Sequence, residues 1–197
     1  AKAGKHVYCE KGLTRTFDEA VDVYDTVKET GITFQLGHQN RQVEANEKAK
    51  QIIKQGLLGP INLVEIATNR NSPWGAWVWG IHPEGNAKTI DWDTFQEPSP
   101  NKIPFGEEAL KRFFRWRMWF DYGTGLSGDL LSNDFDAINQ MMDIGIPKYA
   151  SSTGGIYFYK DGRDVPDVWN ATFEYPEKDL TLLYSATLSS NSPRGNK

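Results

Sequence analysis

The chain is short of cysteine, of metal-binding patterns and of long apolar runs, and each shortage removes a class of function. A single cysteine, Cys9, stands among 197 residues, which excludes an internal disulfide framework and a cysteine-based zinc site. His6, Cys9 and His82 have no partners at metal-ligand spacing, so no metal is expected. No apolar run approaches membrane-spanning length and no signal peptide is visible. No membrane partner is therefore expected. The lone thiol fits a reducing compartment, so the expected location is cytoplasmic, or periplasmic if an export signal lies upstream. A formal net charge of −4 argues against nonspecific nucleic-acid binding as the main task. An initiator Met is also lacking and the chain enters a strand almost at once. The front of a longer protein is therefore expected to be missing.

What is present suits a packed protein. Apolar residues make up 39% and aromatics 13% of the sequence, in a length that suits one large domain or one domain and part of another. Residues 6–10 (HVYCE) read as a strand. Phe17 opens a helix with Thr16 as N-cap and Glu19 completing a capping box. Gly31 ends it, and residues 32–36 (ITFQL) read as a second strand. A strand, a helix and a strand in this span fit one parallel βαβ unit. The segment GHQNR, from Gly37 to Arg41, follows at the strand's C-terminal end, where ligands sit in open α/β sheets. Residues 44–55 read as a helix closed by Gly56.

Beyond residues 56–61 the texture changes, which marks a candidate domain boundary. Residues 61–70 read as a strand. A long irregular region, 71–106, is rich in Pro, Gly and Trp; loops of that length are usually functional or disordered, and the tryptophans argue for order. Residues 107–119 read as a short helix or an extended run. Strands are expected at 150–159, 169–175 and 180–189, joined by short turns, which implies a mainly antiparallel sheet. The tail, 189–197, lacks apolar residues and is expected to fray. No internal repeat is present.

The stretch 123–140 (GTGLSGDLLSNDFDAINQ) organises the rest. Glycines and hydroxyl residues suit a loop and a helix N-cap, Ser127 or Thr124, and the helix should stop near Gly145-Ile146-Pro147. At about 100° per residue Asp129, Asn133, Asp136 and Gln140 share one stripe, with Leu131, Phe135, Ile138 and Met142 opposite. Two readings of the polar stripe stand: a solvated face, or a pocket wall carrying Asp129 and Asn133.

These residues carry a likeness. AGKHVYCEKGLTRTFDEA, GHQNR after the second strand, and the later W-R-x-W-x-DYGTG-x-x-GDL occur in an order that resembles the glucose–fructose oxidoreductase and inositol dehydrogenase family, and the likeness runs on through GGIYFYKDGRDVPD. The resemblance implies a fold of class α/β plus α+β. Residues 1–58 would be the C-terminal remnant of a Rossmann-type dinucleotide-binding domain. Residues 59–197 would be a substrate and oligomerisation domain, incomplete, built on a large mainly antiparallel open sheet with helices on one face. A homo-oligomer through that sheet is implied.

The family's residues carry over one by one. Glu10 and Lys11 match its Glu-Lys pair; there the Glu lies near the nicotinamide ribose and the Lys helps move the proton of the substrate hydroxyl. Gly12 stands where the family usually has Pro, and leaves the loop freer. Asp129 and Asn133 match its Asp-x-x-x-His. The His acts there as acid and base; the amide of Asn133 cannot exchange a proton near neutral pH, though it can orient a hydroxyl. Catalytic candidates are thus Lys11, Asp129 and Asn133. Cofactor-binding candidates are Glu10, Lys11, His38 and Arg41. The implied cofactor is NAD or NADP. No G-x-G-x-x-G turn occurs, so the pyrophosphate has no seat in these residues and the chain alone should bind a dinucleotide weakly or not at all.

Each candidate has a plainer alternative. Lys11 could be an ordinary exposed lysine, Asp129 a first-turn carboxylate favoured by the helix dipole, His38 structural, and Arg41 half of a salt bridge. Trp116, Arg117 and Tyr122, with Asp129 and Asn133, are the substrate-binding candidates, because aromatic faces stack on sugar rings and Arg offers a fork of donors; core packing is the alternative for the aromatics. The run RFFRWR suits single-stranded nucleic acid but is isolated in an acidic chain, so no nucleic-acid partner is expected. Trp74, Trp77 and Trp79 could form a lid or sugar platform, or be buried beneath the loop. Three functional readings follow. The first is hydride transfer between a sugar, cyclitol or related polyol and a nicotinamide. The second is glycoside cleavage with a retained nicotinamide, and the third a catalytically lapsed carbohydrate-binding or assembly module.

Overall fold

The structure, a computed structural model, describes residues 1–191; part of the tail expected to fray lies outside them. Along the chain run β1 (Val7–Glu10), α1 (Phe17–Thr30), β2 (Phe34–Gly37), α2 (Glu44–Lys54), β3 (Leu63–Asn69), α3 (Trp92–Phe95), α4 (Glu107–Phe114), α5 (Ser132–Met142), β4 (Tyr149–Gly155), β5 (Val168–Tyr175) and β6 (Leu180–Thr187). No helix among the described residues is long and apolar enough to cross a membrane. Two compact units form. The first holds Ala1–Ile61 and Gly128–Ile146; the second holds Asn62–Ser127 and the described residues from Pro147 onward.

In the first unit β1 and β2 pair in parallel, with Val7 opposite Phe34 and Glu10 opposite Gly37. The helix between them starts as its sequence dictates. Thr16 Oγ1 accepts from the Glu19 N–H at 3.2 Å, and Glu19 Oε2 accepts from the Thr16 N–H at 3.3 Å, so two otherwise orphaned donors are satisfied. Gly31 closes the helix at φ 61°, a conformation glycine adopts without strain. α2 packs against α5, which places residues 128–146 with the first unit although they read by sequence as part of the second.

The start of α5 differs from expectation. Neither Ser127 nor Thr124 caps it: Ser127 Oγ donates back to the Thr124 carbonyl at 2.9 Å. A π-helical turn, Ser127–Leu131, leads directly into α5, so the first helical N–H groups need no side-chain cap. The helix stops at Asp143, left-handed at φ 51°, just short of the expected glycine.

The second unit is built on a sheet of order β3-β6-β5-β4. β3 pairs with β6 in parallel; β6 with β5 and β5 with β4 are antiparallel. Alternate residues of β6, Leu180, Leu182, Tyr184 and Ala186, are buried, the period-two signature of a strand with one inward face. β4 ends at Gly155, short of the expected 159. The cause is Asp167, whose fully buried carboxylate accepts from the N–H groups of Tyr157, Phe158 and Tyr159 at 2.9, 2.8 and 2.6 Å, turning that backbone away from the ladder. The irregular region is ordered around a cluster of Ile90, Trp92 and Ala109, against which Phe95, Phe105, Phe113 and Tyr122 pack.

Candidate active site

Parallel pairing sends the carboxyl ends of β1 and β2 to the same edge, and the residues leaving them carry the candidate chemistry. Lys11 follows β1. Its ammonium donates to the backbone carbonyl of Asp129 and, at 3.1 Å, to Asp129 Oδ1. The two side chains are only 18% and 13% exposed, so this is not a solvent-screened surface pair. Asn133, one turn on, donates through Nδ2 to the same Asp129 carbonyl at 3.4 Å. Its Oδ1 is buried without a hydrogen-bond partner among the described residues. The carbonyl that serves both lies within the π-helical turn, a backbone form frequent at functional sites.

The rest of the polar stripe is also engaged within the first unit. Arg41 grips Asp136 with Nε at 2.8 Å from Oδ2 and Nη2 at 2.7 Å from Oδ1. Hydrogen bonding to that carboxylate raises the Arg41 pKa above its ordinary value. Gln140 Nε2 donates to the Arg41 carbonyl at 3.0 Å. The stripe is therefore a packing face, not a solvated one, and Arg41 is occupied by its salt bridge.

His38 leaves β2, and its Nδ1 is buried without a hydrogen-bond partner among the described residues. Glu10 is exposed and accepts from the Tyr8 hydroxyl at 3.2 Å; that bond raises the Tyr8 pKa. A Cβ on Gly37 would lie 2.7 Å from Tyr8 Oη and 3.0 Å from Glu10 Oε2, so a larger residue there would displace the exposed tips of these two side chains from over the strand end. An orphaned ring nitrogen, an exposed carboxylate and a lysine thus stand at adjoining strand ends. Among the described residues no cluster of three or more metal-ligating side chains occurs.

The remaining candidates lie in the second unit. Arg117 is sandwiched, its guanidinium carbon 4.1 Å from the Trp116 ring centroid and 5.1 Å from that of Trp79. Tyr122, expected at a substrate, instead packs in the core, its ring 5.2 Å from Phe95 and 6.1 Å from Trp92. Sequence reasoning missed Asp167 and Arg163 as organising groups. Arg163 is fully buried, bonds Asp161 through two nitrogens at 2.9 and 2.8 Å, and donates to the Ala76 carbonyl at 3.0 Å. The available signal was a charged pair flanking an apolar step in GRDVPD, which reads as a turn.

Comparison with known proteins places this arrangement. The fold is that of Rossmann-type oxidoreductases. The chain aligns over 96% of its length with the WlbA dehydrogenase from Bordetella pertussis, solved with NADH and UDP-GlcNAcA, at a TM-score of 0.67 and 15% identity, covering 47% of that chain. No family model matches. In sequence, the chain is 31% identical over 99 residues to the 2,7-anhydro-N-acetylneuraminate hydratase of Escherichia coli K12, half of this chain and 23% of that protein. It is 23% identical over 193 residues to the NADP(+) scyllo-inositol 2-dehydrogenase of Bacillus subtilis, 98% of this chain and 42% of that protein. The chain is thus homologous to oxidoreductases of the glucose–fructose oxidoreductase and inositol dehydrogenase type, and spans less than half the length of these relatives.

Proposed function

We propose that the chain is part of a nicotinamide-dependent oxidoreductase that moves a hydride between a sugar, cyclitol or related polyol and NAD or NADP. Within this reading residues 1–58 are the carboxyl-terminal part of the dinucleotide-binding domain, and α5 of the following domain packs on their helix α2. Residues 59–197 supply the substrate and oligomerisation domain. The free thiol of Cys9 suits the cytoplasm. The observation that carries the proposal is the meeting of Lys11 with Asp129 across 118 residues of sequence, at the edge where α/β sheets hold ligands.

The nicotinamide supplies the hydride acceptor when bound. Glu10, at the end of β1, would hold its ribose side, and His38, at the end of β2, would stand beside the cofactor. In the reducing direction the Lys11 ammonium would give its proton to the substrate carbonyl oxygen as hydride reaches that carbon; in the oxidising direction the neutral Lys11 amine would take the hydroxyl proton as hydride leaves the same carbon. Asp129 aims the Lys11 ammonium. Asn133 orients a hydroxyl through its unpartnered Oδ1 and transfers no proton. Lys11→Ala in the full-length protein is expected to lower turnover of a responsive polyol by about a hundredfold, the scale of lost acid–base help. Cofactor reduction across a polyol panel measures it, and a near-normal rate removes Lys11 from the mechanism.

One observation favours a second reading. With an amide at position 133 in place of the family's His, net alcohol oxidation lacks its usual acid–base group, and one relative is named as an anhydro-sugar hydratase, not a dehydrogenase. Turnover of nitrophenyl glycosides without net cofactor reduction would support glycoside cleavage in place of dehydrogenation.

A further inference from the structure

The turn at residues 73–79 (PWGAWVW) is held more firmly than a connection requires. Arg70 Nη1 donates to the Gly75 carbonyl at 3.0 Å, Arg163 Nη2 to Ala76 at 3.0 Å and Arg115 Nε to Trp79 at 2.6 Å. All three are charge-assisted hydrogen bonds, stronger than neutral ones. Inside the turn the Val78 N–H donates to the Pro73 carbonyl at 2.8 Å. Trp77 is buried and left-handed at φ 65°, a conformation that a bulky residue keeps only where its surroundings impose it.

What this scaffold presents to solvent is Trp74, 72% exposed. Its ring centroid lies 5.6 Å from that of Trp79, with the planes at 46°, and the Trp79 indole N–H donates to the Trp74 carbonyl at 3.0 Å. Arg117 stands over Trp79, with Trp116 beyond it. The side chains therefore alternate along one array: indole, indole, guanidinium, indole. A ring presented on a rigid backbone offers contact area with little ordering left to do at binding.

We propose that Trp74 and Trp79, steadied by Arg117, form a subsite that stacks the C–H face of a pyranose ring; this rests on the carbohydrate-directed reading above. A pyranose offers apolar C–H groups to the negative face of an indole while its hydroxyls point to the polar rim. Asn71 and Ser72, which precede Trp74 in the chain, are exposed and polar. A protein partner calls for a wider apolar patch than one exposed ring. A nucleic-acid strand meets a chain of net charge −4.

The test is saturation-transfer NMR with methyl β-glucopyranoside, an all-equatorial sugar, titrated into the protein without nucleotide. Saturable binding is expected. Trp74→Ala should weaken it by about tenfold and Trp74→Phe should restore most of it. The thermal midpoint should not move in either variant, because the position is exposed. Equal binding in wild type and Trp74→Ala, or no saturable binding in wild type, overturns the subsite. So does self-association abolished by Trp74→Ala, which would make this face a contact between copies. The assay needs neither cofactor nor turnover. A full-length enzyme that oxidises polyols but shows no Trp74-dependent sugar binding overturns the subsite alone, whereas Trp74-dependent binding with an unaffected Lys11→Ala rate overturns the catalytic assignment alone.

Discussion

Lys11 directly follows β1 and Gly12 follows Lys11, so the backbone at that glycine sets the path by which the chain leaves the lysine. Gly12 sits at φ 82° with nothing within 4 Å of where a Cβ would stand. Space is available to a side chain but the conformation is not. Gly12→Ala is therefore expected to cost about 1 kcal/mol. Gly12→Pro should cost more, since proline holds φ near −65° and would re-route the chain between β1 and Lys11's partner. Urea unfolding measures both, and equal midpoints for wild type and Gly12→Pro would contradict the assignment. At this scale the sequence was partly legible. The pairing of Lys11 with Asp129 follows from a motif likeness, and the salt bridge of Arg41 from its chemistry. The double use of the Asp129 carbonyl was not legible, because side-chain periodicity says nothing about which backbone acceptors a π-helical turn exposes.

Among the elements, α1 shows how complete local encoding can be: a capping box at one end, a glycine at the other, and the helix in between as read. β4 shows the opposite. Ile156, Tyr157, Phe158 and Tyr159 are residue types that favour a longer strand, but a carboxylate on the far side of a loop captures the N–H groups that would have extended it. That capture is a tertiary event, and no local pattern announces it. The same loop carries a pH response. Burial pushes the Asp161 carboxyl upward, yet its bonds to Arg163 outweigh this and hold its pKa below the ordinary value. A carboxyl depressed on folding contributes stability that is fully present above its unfolded pKa and is lost as pH falls through the folded one. Stability should therefore decline below about pH 5, and Asp161→Asn should flatten that decline. Urea midpoints measured from neutral to acid pH test this; parallel curves for wild type and variant would contradict it.

For the whole molecule, the described sheet ends in β4, which is exposed along nearly all its length. An open strand edge invites pairing with another chain, which supports the proposal of a homo-oligomer assembled through this sheet. Sedimentation is expected to return a mass above one chain, and Tyr149→Lys, at an exposed position on β4, to lower it. A monomeric mass for wild type would remove the proposal. The composition shift near residues 56–61 lies beside the observed division at Ile61. The return of 128–146 to the first unit was not legible, because an amphipathic pattern identifies which face packs and not what it packs against.

That return has a consequence for how the protein is made. The segment carrying Lys11 is translated 118 residues ahead of its partner on the π-helical turn. Pairings of such wide sequence separation form late, so α2 spends that part of synthesis without the α5 helix it packs against. Slow translation ahead of residue 128 would lengthen that interval, and a chaperone acting on this chain has its reason to bind there.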